Sequence, residues 1–130
     1  MAPSRTLVLV ADDHHSVIEA LRLLIEGEGY EVVAVASGEA LLNELRSRRF
    51  GLAIVDLNYR SDTTSGREGL RLIESIHKVA PTLPVIAMTG WSSPAGRAEA
   101  LRRGAVEYIE KPWDNDHLLA VVTHHLVSRP

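Results

Sequence analysis

The sequence predicts an α/β fold built on a five-stranded parallel sheet, and two patterns carry this prediction. Short apolar runs recur along the 130 residues, and each is too short to be a helix. Between the runs, apolar residues recur every three or four positions, as they do on one face of a helix. The central run is continuously apolar, which is typical of a strand that helices bury on both faces. Five alternations of strand and helix indicate parallel strands joined by right-handed crossovers.

The apolar runs give approximate bounds for the strands. The central run, which begins at Gly51, stops at a carboxylate, Asp56. In parallel sheets, ligands bind in the crevice beyond the carboxyl ends of the strands, so Asp56 would lie at that edge. The predicted strands are residues 6–11, 31–36, 51–56, 83–88 and 105–109.

The segments after the first three strands are predicted as helices from their apolar periodicity. Ser16, with Glu19 three residues later, fits a capping box that would start the first helix. The second helix is predicted to start near Ser37. The third follows Gly66, after a polar loop over residues 57–65 that is longer than most strand-to-helix connections.

The last two helices differ in how well they should pack. Pro94 starts the fourth helix, whose predicted inward residues, Ala98 and Leu101, are few and small. We therefore expect weak packing of this helix. Asp114 or Asn115 would cap the fifth helix, which carries more apolar residues.

Five strands in this length fit a doubly wound, flavodoxin-like (βα)5 sheet of order 2-1-3-4-5. We expect residues 1–130 to form a single domain, with its core at about residues 5–127.

The formal net charge is −3 and there is no basic cluster, so we expect no direct binding to nucleic acid. The chain has no cysteine, which excludes disulfides and thiolate metal sites. No apolar run suits a signal peptide or a membrane span, so we expect a cytoplasmic location without membrane contact.

Polar residues stand where four of the strands end: Asp12 and Asp13, Asp56, Thr89, and Lys111. Because the carboxyl ends of parallel strands share one edge, these side chains should meet in one crevice. Two carboxylates about 5 Å apart repel by roughly 3 kcal/mol at an effective dielectric constant near 20. Lys111 offsets one charge, so a proton or a cation must balance the rest. An oxygen-only site suits Mg²⁺ beside a phosphate, and a carboxylate nucleophile there fits aspartyl-phosphate chemistry.

These residues, in register, resemble the receiver domains of two-component response regulators over essentially the whole chain. The resemblance rests on the Asp12-Asp13 pair, on Asp56, on Thr89 in Met88-Thr89-Gly90, and on Lys111-Pro112. It implies that the chain binds Mg²⁺. The implied metal ligands are Asp12, Asp13, Asp56 and the backbone carbonyl of Asn58.

The resemblance also implies that Asp56 is the phosphoacceptor for a sensor histidine kinase or a phosphotransfer protein. Thr89 and Lys111 would bind phosphoryl oxygens and so complete the catalytic set. Tyr108 matches an aromatic switch position that acts with Thr89, and the Lys111-Pro112 peptide is expected to be cis. The domain would catalyse its own phosphorylation and dephosphorylation, although it would act mainly as a signalling switch.

The long loop after Asp56, together with the residues that follow Lys111, is similar to receivers fused to AAA+ transcription activators that carry a helix-turn-helix. This similarity implies an output to transcription. We also expect phosphorylation to remodel the surface formed by the fourth helix, the fifth strand and the last helix, and so to favour a homodimer or a change in docking. A stand-alone phosphorelay or protein-interaction receiver without a DNA-binding output stays open, because the chain is either an excised receiver or a single-domain regulator.

Three other classes of protein fit less well. A phosphatase of the haloacid-dehalogenase type needs a second aspartate at the position of Asn58. A dinucleotide-binding domain needs glycines where the first strand is followed by Asp12-Asp13-His14-His15. A pseudo-receiver would usually lack one of the five site residues.

The six histidines are interpreted mainly as structural or solvent-facing, with His14 nearest the acidic pair. Trp91 and Trp113 are interpreted as packing residues, with a gating role left open.

Overall fold

The computed structural model describes residues 5–57, 67–90 and 92–127 of the chain. Within these residues, five strands alternate with five helices. The strands are β1 (Leu7–Ala11), β2 (Glu31–Val35), β3 (Leu52–Asp56), β4 (Val85–Thr89) and β5 (Glu107–Glu110). The helices are α1 (His15–Glu26), α2 (Gly38–Ser47), α3 (Arg67–Val79), α4 (Pro94–Arg102) and α5 (Asn115–Val127). None of these helices is both long and apolar enough to cross a bilayer.

The strands form one parallel sheet in the order β2-β1-β3-β4-β5, which confirms the predicted fold and strand order. The chain first winds outward from β1 to the edge strand β2. It then crosses back to β3 on the other side of β1 and continues to β5. The winding direction therefore reverses between β1 and β3, and the carboxyl ends of these two strands flank the crevice that ligands use in such sheets.

Two apolar layers cover the two faces of the sheet. Every residue of β3 is buried, and alternate residues face opposite layers: Ala53 and Val55 on one side, Leu52 and Ile54 on the other. Helices α2, α3 and α4 cover the first layer, whereas α1 and α5 cover the second. Burial on both faces explains why the β3 run is continuously apolar.

The start of α1 differs from the predicted one. The helix begins at His15, and the N-cap residue, His14, makes no side-chain capping bond. The carbonyl of His14 already accepts the first two helical N–H bonds, so Ser16 lies inside the first turn. The predicted capping box of Ser16 and Glu19 is therefore wrong. Three later helices do have side-chain caps. A side-chain oxygen of Ser37, Ser93 or Asp114 accepts a hydrogen bond from the backbone N–H three residues later, at the start of α2, α4 and α5 respectively.

Helix α4 presents a different face from the predicted one. Ala98 is exposed and Leu101 is 38% exposed, whereas Ala100 is the buried residue of the helix. The prediction of Ala98 and Leu101 as inward residues is wrong, because a helix with so few apolar side chains has no clear apolar stripe. One buried alanine removes little apolar surface from water, so α4 gains little from packing.

Ion pairs supplement this small apolar contact. Arg103 follows α4, and its guanidinium lies 2.6 Å from the Glu99 carboxylate and 3.1 Å from the carboxylate of Glu74 on α3. Hydrogen bonds from Arg102 and Arg103 hold the pKa of the Glu99 carboxyl below its ordinary value. The stabilisation from this exposed group is present above the ordinary pKa and is lost as the pH falls through the lowered one.

Gly69 allows α3 to approach the end of β3 closely. A Cβ atom at this position would lie 2.7 Å from the Cα of Leu57 and 3.2 Å from the carbonyl oxygen of Asp56. Both are backbone atoms, which cannot turn aside as a side chain can. The close approach fixes the chain as it leaves Asp56.

We expect Gly69→Ala to lower the free energy of unfolding, measured by urea denaturation. In an ordinary helix interior the same change would stabilise by about 0.5–1 kcal/mol, so the sign of the effect is the test. Gly38→Ala in α2 is the matched control, because its Cβ would meet the Leu72 side chain at 3.2 Å, and that side chain can shift. A Gly69→Ala variant as stable as the parent protein would contradict this account.

Candidate functional site

The sheet brings the predicted site residues to one edge. Asp12 directly follows β1, Asp56 ends β3, Thr89 ends β4 and Lys111 directly follows β5. The β4–β5 ladder extends one residue beyond the strand, because the backbone N–H of Lys111 donates to the carbonyl of Thr89 at 2.7 Å. This bond fixes the start of the Lys111 side chain beside the end of β4.

Three carboxylates meet in the crevice between β1 and β3. Asp12, Asp13, Asp56 and the imidazole of His14 each offer an atom that could bind a metal ion, and these atoms all lie within 4.8 Å of one another. Asp12 is 2% exposed and Asp56 is 1% exposed. At such separations each pair of carboxylates repels by at least about 3 kcal/mol at an effective dielectric constant near 20. The cluster therefore needs positive charge.

Lys111 supplies part of that charge. Its Nζ atom lies 3.3 Å from Oδ1 of Asp56 and 3.4 Å from Oδ2 of Asp12. The ammonium group thus contacts two of the three carboxylates at once. A single positive charge leaves the cluster negative, which favours binding of a divalent cation.

The imidazole of His14 also lies against the carboxylates. Its Nδ1 atom is 3.0 Å from Oδ1 of Asp12, 3.1 Å from Oδ1 of Asp13 and 3.8 Å from Oδ2 of Asp56. The sequence analysis places His14 nearest the acidic pair, and the structure confirms that proximity, with the side chain 55% exposed. The available signal was the position of His14, directly after the acidic pair in a strand-to-helix turn. His15, whose side chain is 88% exposed, fits the interpretation of the histidines as mainly structural or solvent-facing.

Thr89 and Tyr108 are both buried on neighbouring strands, and Tyr108 lies near the start of α4. Thr89 is 2% exposed and Tyr108 is 7% exposed. The backbone N–H of Ser93 points to the Tyr108 hydroxyl, at a donor–acceptor distance of 3.4 Å. A Cβ atom on Gly96 would lie 2.9 Å from the same hydroxyl, so this glycine makes room for the tyrosine ring. The Tyr108 side chain therefore packs against the first turn of α4.

Other predicted features have mixed outcomes. The Lys111-Pro112 peptide is cis, as expected. Trp113 is partly buried, packs against the α1–α5 layer, and donates from Nε1 to Oδ1 of Asn115 at 2.9 Å. Asn58 and Trp91 lie outside the residues that the structure describes.

A groove of about 450 Å³ beside the site runs between α1 and the segment after β5, with Val17, Ala20, Pro112 and Trp113 in its lining.

The donor set fits a hard divalent cation. Asp12, Asp13 and Asp56 supply carboxylate oxygens, the ligands that Mg²⁺ prefers, from positions close enough to share one ion. The excess negative charge in the cluster gives such an ion an electrostatic reason to bind.

Comparison with known proteins agrees with the resemblance to receiver domains. The family model for the response regulator receiver domain matches residues 8–123. The transcriptional regulatory protein ZraR of Escherichia coli O157:H7 is 35% identical over 115 residues, which are 88% of this chain and 25% of that protein. The response regulator protein FleR of Pseudomonas aeruginosa is 35% identical over 122 residues, 94% of this chain and 25% of that protein. The chain thus spans about a quarter of the length of these curated relatives.

A similar fold has been solved for a CheY-like response regulator receiver domain protein from Methanospirillum hungatei. Its structure superposes with a TM-score of 0.85 at 30% sequence identity, and the match covers 95% of both chains.

We expect Asp13→Asn to raise the melting temperature of the metal-free protein, because it removes two carboxylate repulsions. A gain of about 1 kcal/mol would raise the midpoint by about 4 °C for a domain of this size, as measured by circular dichroism in EDTA. Asp116→Asn is the control, since Asp116 is an exposed acidic residue on α5 and its neutralisation should give no such gain. A lower midpoint for Asp13→Asn would show that the carboxylate is stabilising where it stands.

Proposed function

Since this chain belongs to the response regulator receiver family, we propose that Asp56 accepts a phosphoryl group from a phosphohistidine donor. One observation carries the proposal. Asp56 stands at the carboxyl end of the central strand, in a cluster with Asp12 and Asp13, and its carboxylate lies 3.3 Å from the ammonium of Lys111. A nucleophile, a cation site and a fixed positive charge are thus within reach of one phosphoryl group.

Receiver domains generally bind Mg²⁺ at an acidic pocket, and we assign that role here to Asp12, Asp13 and Asp56. The backbone carbonyl of Asn58 would complete the ligand set. Bound Mg²⁺ would neutralise charge on the phosphoryl oxygens during transfer. The carboxylate repulsion described above supports the assignment, because a divalent cation relieves it.

The chain's own residues then divide the chemistry of transfer. A carboxylate oxygen of Asp56 attacks phosphorus, and a P–O bond forms as the P–N bond of the donor breaks. The donor nitrogen leaves with the bonding electron pair. Lys111, which pairs with the Asp56 carboxylate before transfer, would pair with a phosphoryl oxygen afterwards. The Thr89 hydroxyl would donate to another phosphoryl oxygen.

Thr89 would move toward the phosphoryl group in order to donate to it, and this movement would carry the signal to α4. Thr89 and Tyr108 lie on neighbouring strands, and the Tyr108 hydroxyl lies beside the amide of Ser93 at the start of α4. Helix α4 buries one small apolar side chain, so a shift of this helix forfeits little hydrophobic stabilisation. We therefore assign the switch to Thr89 and Tyr108, with α4 as the element that changes position.

The wider function belongs to the same proposal. A sensor histidine kinase or a phosphotransfer protein would supply the phosphoryl group, and phosphorylation would change self-association or docking. The relatives named as transcriptional and response regulators support an output to transcription. If the chain is part of a longer protein, AAA+ and helix-turn-helix domains would provide that output.

We expect intact-protein mass spectrometry to detect one added phosphoryl group after incubation with acetyl phosphate and Mg²⁺. Asp56→Asn or EDTA should abolish the addition, because the nucleophile or the cation is lost. Asp116→Asn, which changes an exposed aspartate on α5, should be phosphorylated like the parent protein. Continued labelling of Asp56→Asn at another residue would count against the assignment of Asp56.

We expect phosphorylation to change hydrogen exchange in residues 92–110, the segment from just before α4 through β5. Tyr108→Phe removes the hydroxyl beside the Ser93 amide, so this variant should be phosphorylated but show a smaller change at the start of α4. Tyr30→Phe is the matched control, because Tyr30 packs in the α1–α5 layer, away from α4. Identical exchange in this segment before and after phosphorylation would refute the proposed switch.

A further inference from the structure

We propose that His14 is a fourth metal-binding side chain of this site and gives it a preference for nitrogen-binding divalent cations over Mg²⁺. The inference rests on the proposed function only in that it uses the same cation site. It adds an imidazole nitrogen to a set of carboxylate oxygens and thereby changes which ions the site favours.

The spacing of the ligand atoms supports this assignment. In an octahedral site with bonds of about 2.1 Å, neighbouring ligand atoms are about 3.0 Å apart and opposite ones about 4.2 Å apart. Nδ1 of His14 lies 3.0 Å and 3.1 Å from oxygens of Asp12 and Asp13, which are the separations of neighbouring ligands. Its separation of 3.8 Å from an Asp56 oxygen falls between the two values. The nitrogen thus lies at a distance from the carboxylates that fits a hydrogen bond to Asp12 in the metal-free protein and a shared metal ion when one is bound.

The backbone holds His14 in this position. Its N–H donates to Oδ1 of Asp12 at 2.8 Å, and its carbonyl accepts the N–H groups of Val17 and Ile18 at 3.1 Å. The residue is therefore fixed on one side by the acidic pair and on the other by the first turn of α1. About half of the side chain is exposed, which leaves the ring room to turn toward a bound ion. The imidazole tautomer with its proton on Nε2 offers the Nδ1 lone pair to a metal ion.

The chemistry of the added ligand predicts selectivity. Mg²⁺ takes oxygen ligands and keeps several waters, so an imidazole adds little to its binding. Imidazole suits later first-row ions, whose affinity for mixed nitrogen and oxygen sites rises along the series from Mn²⁺ through Co²⁺ and Ni²⁺. We use Co²⁺ as the probe because it reports nitrogen ligation spectroscopically.

The experiment titrates Mg²⁺ and Co²⁺ separately into metal-free, untagged protein by isothermal titration calorimetry. His14→Phe keeps a ring but removes the nitrogen, and it should weaken Co²⁺ binding by about tenfold or more while leaving Mg²⁺ binding nearly unchanged. Co²⁺ should also shift the proton resonance of one imidazole N–H in the parent protein, and this signal should be absent in His14→Phe. Equal losses for both ions, no loss for Co²⁺, or a gain for both would overturn the proposal.

Matched variants make the outcome specific. His14→Asn keeps the turn polar and should also lose the Co²⁺ preference, so the test stands if the Phe variant folds poorly. His15→Phe should bind both ions like the parent, because His15 points away into solvent. His124→Phe removes one of the two adjacent histidines on α5. It should bind Co²⁺ like the parent protein, because the proposed site does not include these histidines.

Asp13→Asn separates failure of this inference from failure of the proposed cation site. If Asp13→Asn weakens both ions and His14→Phe weakens neither, the carboxylate site stands and the role of His14 is rejected. If Asp13→Asn leaves both affinities unchanged, the proposed cation site itself fails, and the assignment of His14 fails with it.

Discussion

The ammonium of Lys111 lies between two buried carboxylates, and much of the structure serves to hold this charge arrangement in place. Asp12 and Asp56 come from strands that are neighbours in the sheet, so their separation is set by the hydrogen bonds of a rigid ladder. Lys111 reaches them from β5, two strands beyond β3, and its backbone is bonded to Thr89. The site therefore combines like charges that repel with a scaffold too stiff to let them separate. Such a site favours cation binding, because folding already holds the carboxylates together against their repulsion.

The fold and the strand-end residues were predictable because they follow from patterns that lie within single elements. A strand buried on both faces must be continuously apolar, and the carboxyl ends of parallel strands must share an edge. The face of α4 was not predictable, because Ala98, Ala100 and Leu101 do not define one apolar stripe. The contact of His14 with the carboxylates depends on the backbone of the turn after β1, which no periodicity encodes. Prediction failed where a side chain's position depends on a turn or on a weak apolar pattern.

The stabilising interactions are distributed unevenly around the sheet. Helices α1 and α5 bury several large side chains, among them Leu21, Ile25 and Leu118, whereas α4 buries a single alanine. Glu99 and Arg103 replace part of the missing apolar contact with an ion pair near the surface, and such pairs add little to stability. The apolar stabilisation that depends on the position of α4 is thus smaller than that of α1 or α5.

Strand β5 also has a consequence for solubility. An edge strand exposes unpaired backbone groups, onto which a second chain can add by continuing the sheet. β5 is only four residues long and has glutamate at both ends, Glu107 and Glu110, and the opposite edge strand, β2, begins with Glu31. Two such edges that approach each other bring like charges together along a short ladder. These charges on two short edges oppose open-ended polymerisation through the sheet.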